Sequence, residues 1–245
     1  MFTHFRTQGF FLKKQDRGEA NQIFTIFTKD FGKLKILGKA IRKIKSKLRQ
    51  SAEIFYLSEI EFIQGKNYKI LTDALAVEKF KNLRKNPQKL AIAYKIIEVA
   101  DLFIAEEEKN DEIWRLINEV FGELNNPSLQ FAGCNLQYYY FLWNFLSILG
   151  YKPELYFCRV CAKKLLPETF WFLPHEGGIV CWRCFKNFNG KDKKEAKEIS
   201  VNAVKILRLL LKQDWKILKS LKISSDVLEN IEKISSSYLK FLKTI

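Results

Sequence analysis

Histidine is almost missing from this chain: His4 and His175 are the two present in 245 residues. Acid–base catalysis built on imidazole therefore has few candidates. The sequence contains no G-x-x-x-x-G-K-[ST], no G-x-S-x-G and no G-x-G-x-x-G. It thus gives no support for a P-loop nucleotide site, a hydrolase nucleophile elbow or a dinucleotide fingerprint. Three acids stand together at Glu106-Glu107-Glu108, but at the end of a helical pattern they read as solvated rather than as magnesium ligands. Long apolar runs are also lacking. The most apolar stretch, Leu136 to Leu149 (LQYYYFLWNFLSIL), is short for a membrane span and holds Gln137 and Asn144, so a buried helix is expected. The start, MFTHFRTQGFF, has neither the apolar core nor the small-residue cleavage site of a signal peptide. A cytoplasmic, nucleoid-associated location is the expectation. In that compartment five cysteines suggest metal or thiol chemistry before disulfides.

One further absence is local. Between Asp30 and Glu53 there is no acidic residue, while Lys33, Lys35, Lys39, Arg42, Lys43, Lys45, Lys47 and Arg49 supply eight cations. Leu34, Ile36, Leu37, Ile41, Ile44 and Leu48 are interleaved with them, so the run belongs to folded structure with a charged outer face. The whole chain has 42 Lys and Arg against 27 Asp and Glu, a net charge of +15. A folded basic face without neutralising acids usually meets a polyanion, most often a nucleic acid. An anionic membrane surface, an acidic protein or a merely solvated face are the other readings.

Residues 1–80 have the pattern of short strands. Gln22 to Thr28 (QIFTIFT) is rich in β-branched and aromatic residues, and Lys33-Leu34-Lys35-Ile36 alternates polar with apolar. Asp30-Phe31-Gly32 and Gly65-Lys66-Asn67 lie between strand-like runs and read as hairpin connections. Five short strands in this length fit a small barrel, and the OB-fold is the commonest basic example. After Leu75 the period becomes helical, over 89–108, 112–124, 129–149, 200–212 and 225–242. Asn86-Pro87, Asn110-Asp111 and Asn125-Asn126-Pro127-Ser128 supply stops and starts. Gly190 to Lys194 reads as an exposed link. The expected architecture is α+β: an N-terminal five-stranded barrel over 1–80 and an all-helical domain over 81–245, with a cysteine-bearing insert at about 155–189.

That insert holds Cys158-Arg-Val-Cys161 and Cys181-Trp-Arg-Cys184, two CxxC pairs with 19 residues between them. Each pair can offer two thiolates to one tetrahedral ion, and the spacer is long enough for a β-hairpin, with Pro174 and Gly177-Gly178 placed to turn it. A structural zinc ribbon with one ion follows. Four reduced thiols without metal, or a redox CxxC, remain open as alternatives. Four thiolates leave no position for water, which argues against catalytic zinc. His175-Glu176 does not have the His-x-Glu spacing of zinc deaminases, and neither CxxC follows a proline; His175 is expected at the surface. Cys134, in an apolar helical stretch, is expected in the core.

The segment Arg17-Gly18-Glu19-Ala20-Asn21-Gln22-Ile23-Phe24-Thr25-Ile26-Phe27-Thr28-Lys29-Asp30-Phe31-Gly32-Lys33-Leu34 resembles the N-terminal signature of the bacterial RecO family. Gly38 to Ser46 is similar to that family's basic turn, with the Ala displaced by one. The order of parts, a basic β domain, helices, a CxxC…CxxC ribbon and closing helices, extends the resemblance over nearly the whole chain. One departure is Ala162, where the family usually has Gly, so the turn after Cys161 should be slightly strained. The resemblance implies an OB-fold followed by helices and, in many members, a zinc ribbon. It also implies a non-enzymatic recombination mediator of the RecF pathway. Such proteins bind single- and double-stranded DNA and anneal complementary strands without ATP. They work with RecR to load RecA onto strands covered by single-strand binding protein (SSB).

On the residues alone, nucleic-acid binding with a structural metal is the reading. Phosphate contacts from the basic run would make affinity salt-dependent and largely blind to sequence. Phe24 and Phe27 are candidates for stacking on bases, whereas Tyr138 to Phe145 are expected mostly in the core. A zinc-ribbon RNA-binding or transcription-associated factor, and a protein-bridging module for acidic peptides, are the alternatives.

Overall fold

The computed structural model describes residues 3–128 and 131–244, without the side chains of 131–134, 191, 216, 217 and 219. The core role expected of Cys134 lies outside the described residues. Two compact units divide the chain, Met1–Tyr138 and Tyr139–Ile245.

The first unit opens with β1 (His4–Arg17), β2 (Asn21–Thr28), β3 (Gly32–Gly38), β4 (Leu57–Gln64) and β5 (Lys69–Glu78). They close into a barrel of order β1-β2-β3-β5-β4, the five-stranded OB-fold expected from the sequence. The long first strand makes this possible. It pairs antiparallel with β2 through its C-terminal part and with β4 through its N-terminal part, and a shift between Phe11 and Lys13 marks where it bends. Closure between β3 and β5 is brief and parallel, at Ile36–Lys69 and Leu37–Ile70.

Alternation decides what fills the barrel. Phe11, Phe24, Ile26, Leu34, Ile36, Ile60, Phe62 and Leu71 point inward as one cluster. Phe10 and Phe27, the neighbours on the opposite face, are also fully buried, because they meet Trp114 at ring-centroid distances of 5.4 and 6.0 Å. Strands buried on both faces read as continuous apolar runs, and Phe10-Phe11 and Ile26-Phe27 are such runs. Phe24 and Phe27 are each 0% exposed. They are therefore core residues, which removes them as candidates for stacking on bases.

Helices α1 (Lys81–Lys85), α2 (Pro87–Phe103) and α3 (Asp111–Asn125) belong to the same unit. Asn86 caps α2 by accepting from the N–H groups of Gln88 and Lys89, with Pro87 in the first turn. Asn110 caps α3 in the same way, and Asp111 and Glu112 complement its N-terminal dipole. On α3 the buried Ile113, Trp114, Leu116, Ile117, Val120, Phe121 and Leu124 recur at helical spacing. The helical pattern over 89–108 ends early, at Phe103. Beyond it, Glu107 N–H donates to the Lys33 carbonyl at 2.9 Å, and residues 33 and 106 form a parallel bridge. This approach requires Gly32: its φ is +66°, and a Cβ there would lie 2.3 Å from the Glu108 carbonyl oxygen.

Helix α4 (Phe131–Ile148) runs across the division between the units. The second unit then contains β6 (Phe170–Leu173), β7 (Gly178–Cys181), α5 (Trp182–Lys186), α6 (Gly190–Glu195), β8 (Lys197–Ile199), α7 (Val201–Leu210), α8 (Trp215–Ser220) and α9 (Ser225–Leu242). The hairpin expected between the cysteine pairs is β6–β7, to which β8 adds a third strand. Gly190 to Lys194, expected as a link, forms most of α6. Trp143 is fully buried: its indole N–H donates to Ser235 Oγ at 3.1 Å and its ring stacks on Tyr238 at 5.6 Å. Asn144 donates to the carbonyls of Tyr140 and Leu210 and accepts from Gln213. A polar residue in an apolar helix is thus satisfied inside the protein, as expected for a core helix. Among the described residues no helix is long and apolar enough to cross a membrane.

Candidate nucleic-acid interface and metal centre

The basic run begins on β3 and continues through the β3–β4 connection. In the connection, Ile41 is 1% exposed and, with Leu48 and Ala52, packs on the barrel's inner cluster. Those contacts hold the segment down, and the polar residues between them face water. Two backbone contacts fix it to the β1–β2 turn: Ala40 N–H donates to Asn21 Oδ1 at 2.8 Å, and Arg42 N–H to the Ala20 carbonyl at 3.0 Å. Ala40 has a φ of +51°, a left-handed conformation that costs about 1–2 kcal/mol for a residue with a side chain.

The eight cations of the run do not share one role. Lys39, Lys43, Lys45, Lys47 and Arg49 are exposed, and none has a carboxylate within 4.0 Å among the described residues. Arg42 is exposed but pairs with Asp16 at 3.2 Å and also reaches the Gly18 carbonyl. Lys35 pairs with Glu106; that hydrogen bond and charge raise the lysine pKa and lower the carboxyl's. Lys33 is buried, and its ammonium donates to the Asp101 carbonyl at 2.6 Å, with an Asp101 carboxylate oxygen 3.6 Å away. Glu107 pairs with Lys69. Two of the three acids read as solvated therefore neutralise β3 and β5 lysines. Ile44, counted among the apolar anchors, is 92% exposed between Lys43 and Lys45.

A second feature of the barrel was not singled out in the sequence. Arg17, Lys39, Lys66 and Tyr68 line a groove of about 360 Å³ together with Asn21, Leu37 and Ile70. The Arg17 guanidinium lies 4.4 Å from the centre of the Tyr68 ring. The groove is built from the ends of β1, β3 and β5 and the β4–β5 turn, brought together by strand pairing. Its local signals were Lys39, on the basic run, and Lys66, in the Gly65-Lys66-Asn67 turn. Cations beside an aromatic ring suit phosphates with a stacked base.

In the second unit, Cys158, Cys161, Cys181 and Cys184 converge, with their sulfurs all within 4.8 Å of one another. Cys161 Sγ and Cys181 Sγ are 4.0 Å apart. A tetrahedral Zn²⁺ with bonds of about 2.3 Å sets sulfurs about 3.8 Å apart, so the set fits one ion. Cys158 and Cys161 lie on a tight turn in which Ala162 N–H donates to the Cys158 carbonyl and Cys158 N–H to that of Lys163. Ala162 has a φ of +55°, which is the strain expected from alanine at that position. Cys181 ends β7 and Cys184 lies on α5. Burial pushes the Cys158 thiol up, but hydrogen bonds from the Cys161, Cys181 and Val160 backbones outweigh it and bring the thiol down to about 7. Burial and the neighbouring thiols push Cys181 and Cys184 up instead, so a full set of four thiolates depends on a cation among them. Leu173 and Val180 close the site from the hairpin, and Phe185 stacks on Trp171 at 4.1 Å. His175 lies partly exposed, 3.6 Å from carboxylate oxygens of Asp192 and Glu195, and is not one of the clustered ligands.

Two family models divide the chain between them. Recombination protein O N terminal matches residues 1–80 and Recombination protein O C terminal matches residues 84–242. The chain belongs to the RecO family. Full-length relatives agree. The chain is 34% identical over 238 residues to the DNA repair protein RecO of Dehalococcoides mccartyi, covering 97% of this chain and 90% of that one. It is 29% identical over 239 residues to the DNA repair protein RecO of a Thermoanaerobacter species, covering 96% and 91%. With that of a Roseiflexus species it shares 29% over 238 residues, covering 97% and 81%. A DNA repair family, an OB-fold barrel and a four-cysteine centre are thus combined in one chain.

Proposed function

We propose that this protein is a recombination mediator that binds single- and double-stranded DNA, anneals complementary strands without ATP, and helps load recombinase onto SSB-coated strands in the RecF pathway. RecR and SSB are its partners under this proposal, and zinc is the ion of the four-cysteine centre, where it holds the ribbon rather than acting on substrate. The observation that carries the proposal is the β3–β4 connection: five exposed cations with no carboxylate within 4.0 Å among the described residues, folded against an OB barrel beside a groove with an aromatic ring. Membership of a DNA repair family supports DNA as the polyanion.

Annealing makes no covalent bond, so a catalytic centre is not required. Two polyanionic strands repel one another, and cations that screen their phosphates lower that barrier while leaving base edges free to pair. In this scheme Lys43, Lys45, Lys47 and Arg49 take phosphates. Lys39, Arg17 and Lys66 take those next to a base stacked at Tyr68. Lys33, which ties β3 to Asp101 of α2, and Lys35, which is paired with Glu106, take no phosphate in this scheme.

The test follows duplex formation between two complementary oligonucleotides coated with SSB, without nucleotide, at low and moderate salt. Salt-sensitive acceleration is expected. Absence of acceleration with DNA binding intact would leave a protein bridge, and a clear preference for RNA would overturn the choice of DNA. Metal analysis of the purified protein is expected to find one zinc ion per chain.

A further inference from the structure

The basic run lies on the barrel, yet the second unit is the more basic of the two. Residues 139–245 contain 19 Lys and Arg against 10 Asp and Glu, so they carry +9 of the net +15. Part of that excess lines a cleft of about 740 Å³ formed by residues 150–159, the β6–β7 turn, and the ends of α7 and α9. Lys152, Arg159, Arg208 and Lys212 line it, and among the described residues none has a carboxylate within 4.0 Å. Of the two acids in the lining, Glu154 has one carboxylate oxygen occupied by the N–H groups of Tyr156 and Phe157, at 2.7 and 3.0 Å. Glu176 uses its carbonyl to accept from Arg159 Nε at 2.9 Å.

The cleft is fixed in shape. Tyr238 donates to the Tyr151 carbonyl at 3.1 Å, and Arg208 donates from both Nε and Nη2 to the Leu155 carbonyl. The Arg208 guanidinium also sits 4.3 Å from the Tyr156 ring centre. Yet Tyr151 and Tyr156 remain 37% and 48% exposed. Leu155 and Leu242 are nearly fully buried, at 1% and 5%. The surface offered to a ligand is therefore tyrosine faces and cationic heads rather than a deep apolar pocket. That chemistry suits the alternating phosphates and bases of a single strand better than the apolar anchor of an acidic peptide.

We infer that this cleft is a second binding site for single-stranded nucleic acid, separate from the barrel surface. The inference rests on the DNA reading above and deepens it. A protomer with one strand site on each unit can hold two strands at once, which annealing needs.

The test uses the full chain, oligothymidylate as probe, and native mass spectrometry to count strands per protomer. K152E/K212E alters two exposed lysines and leaves Arg208 and Arg159, which hold backbone carbonyls. The wild type is expected to take two strands. K152E/K212E should take one, with affinity for the second reduced at least about tenfold and the salt slope for that step lowered by about 1.4. K43A/K45A/K47A should also take one. Photo-cross-linking of that second variant to a reactive thymidylate should then mark the peptide holding Tyr151 and Tyr156. Two strands on K152E/K212E, or a wild type that takes a single strand lost in K43A/K45A/K47A, would overturn the second site and leave the barrel site standing. Two strands on K152E/K212E together with lost binding of an acidic peptide would reassign the cleft to a protein partner. A wild type that binds no oligothymidylate would overturn the DNA reading itself.

Discussion

Replacing Lys39, Lys43, Lys45 and Lys47 with alanine should change how DNA binding responds to salt, whereas replacing Lys33 should not. The first four are exposed and, among the described residues, have no acidic partner, so each can release a counterion on meeting a phosphate. Each such contact on a single strand adds about 0.7 to the slope of log affinity against log salt. With Arg49 as the fifth, the connection supports a slope of about 3.5, or a loss of about 100-fold between 50 and 200 mM salt. The quadruple variant keeps one contact on this segment and should lose only about threefold from it over the same range. Lys33 differs because its ammonium is buried against the Asp101 carbonyl. Lys33→Met leaves that carbonyl without its donor, at a cost of about 1–3 kcal/mol in stability. Its salt slope should match the wild type. Fluorescence anisotropy of a labelled oligonucleotide across a salt series gives the slopes, and urea melts give the stabilities. An unchanged slope in the quadruple variant would remove the β3–β4 connection from the interface. A slope lowered by Lys33→Met at unchanged stability would refute its placement as structural.

Three further outcomes follow from the same geometry. Tyr68→Ala should weaken single-strand binding by about 1–3 kcal/mol, the value of one stacked base, while duplex binding changes little; anisotropy with both probes checks this. Ala162→Gly should stabilise the protein by about 1 kcal/mol by relieving the left-handed φ of +55°, read as a raised urea midpoint with unchanged metal content. Cys184→Ser removes one thiolate from the four-sulfur set and should cut bound zinc to a small fraction of the wild type. Chelator treatment of the wild type should lower its melting midpoint to near that of the variant.

The turns were legible because glycine stands where the chain needs it. Asp30-Phe31-Gly32 and Gly65-Lys66-Asn67 join β2 to β3 and β4 to β5 as expected. The cysteine centre was legible because two CxxC pairs and a turning spacer define a site with little help from the rest of the chain. Caps at Asn86 and Asn110 marked the true starts of α2 and α3. What the sequence concealed depends on partners far along the chain. Lys33 reads like any strand lysine until Asp101, 68 residues away, takes its ammonium. Phe24 and Phe27 point to opposite sides of β2, and local alternation predicts one exposed face; the barrel interior buries Phe24, and packing of α3 on the outer side buries Phe27 as well. The Arg17–Tyr68 groove is assembled by barrel register, so no single window of sequence contains it. Ile44 failed as an anchor because the connection turns between Ile41 and Leu48, leaving the residue midway at the tip.

The short stretch after α2 has a role that its hydrogen bond and ion pairs do not state by themselves. A barrel that closes through only two residue pairs between β3 and β5 leaves the start of β3 as an open edge, and an open edge can recruit a strand from another molecule. Residues 104–108 occupy that edge and place acidic side chains along it. They act as a guard against sheet growth between copies in a protein rich in β-forming aromatics. Gly32→Ala, which would force Glu108 away, should therefore reveal itself first in light scattering on concentration; a monodisperse variant would mean that the edge is protected by other means.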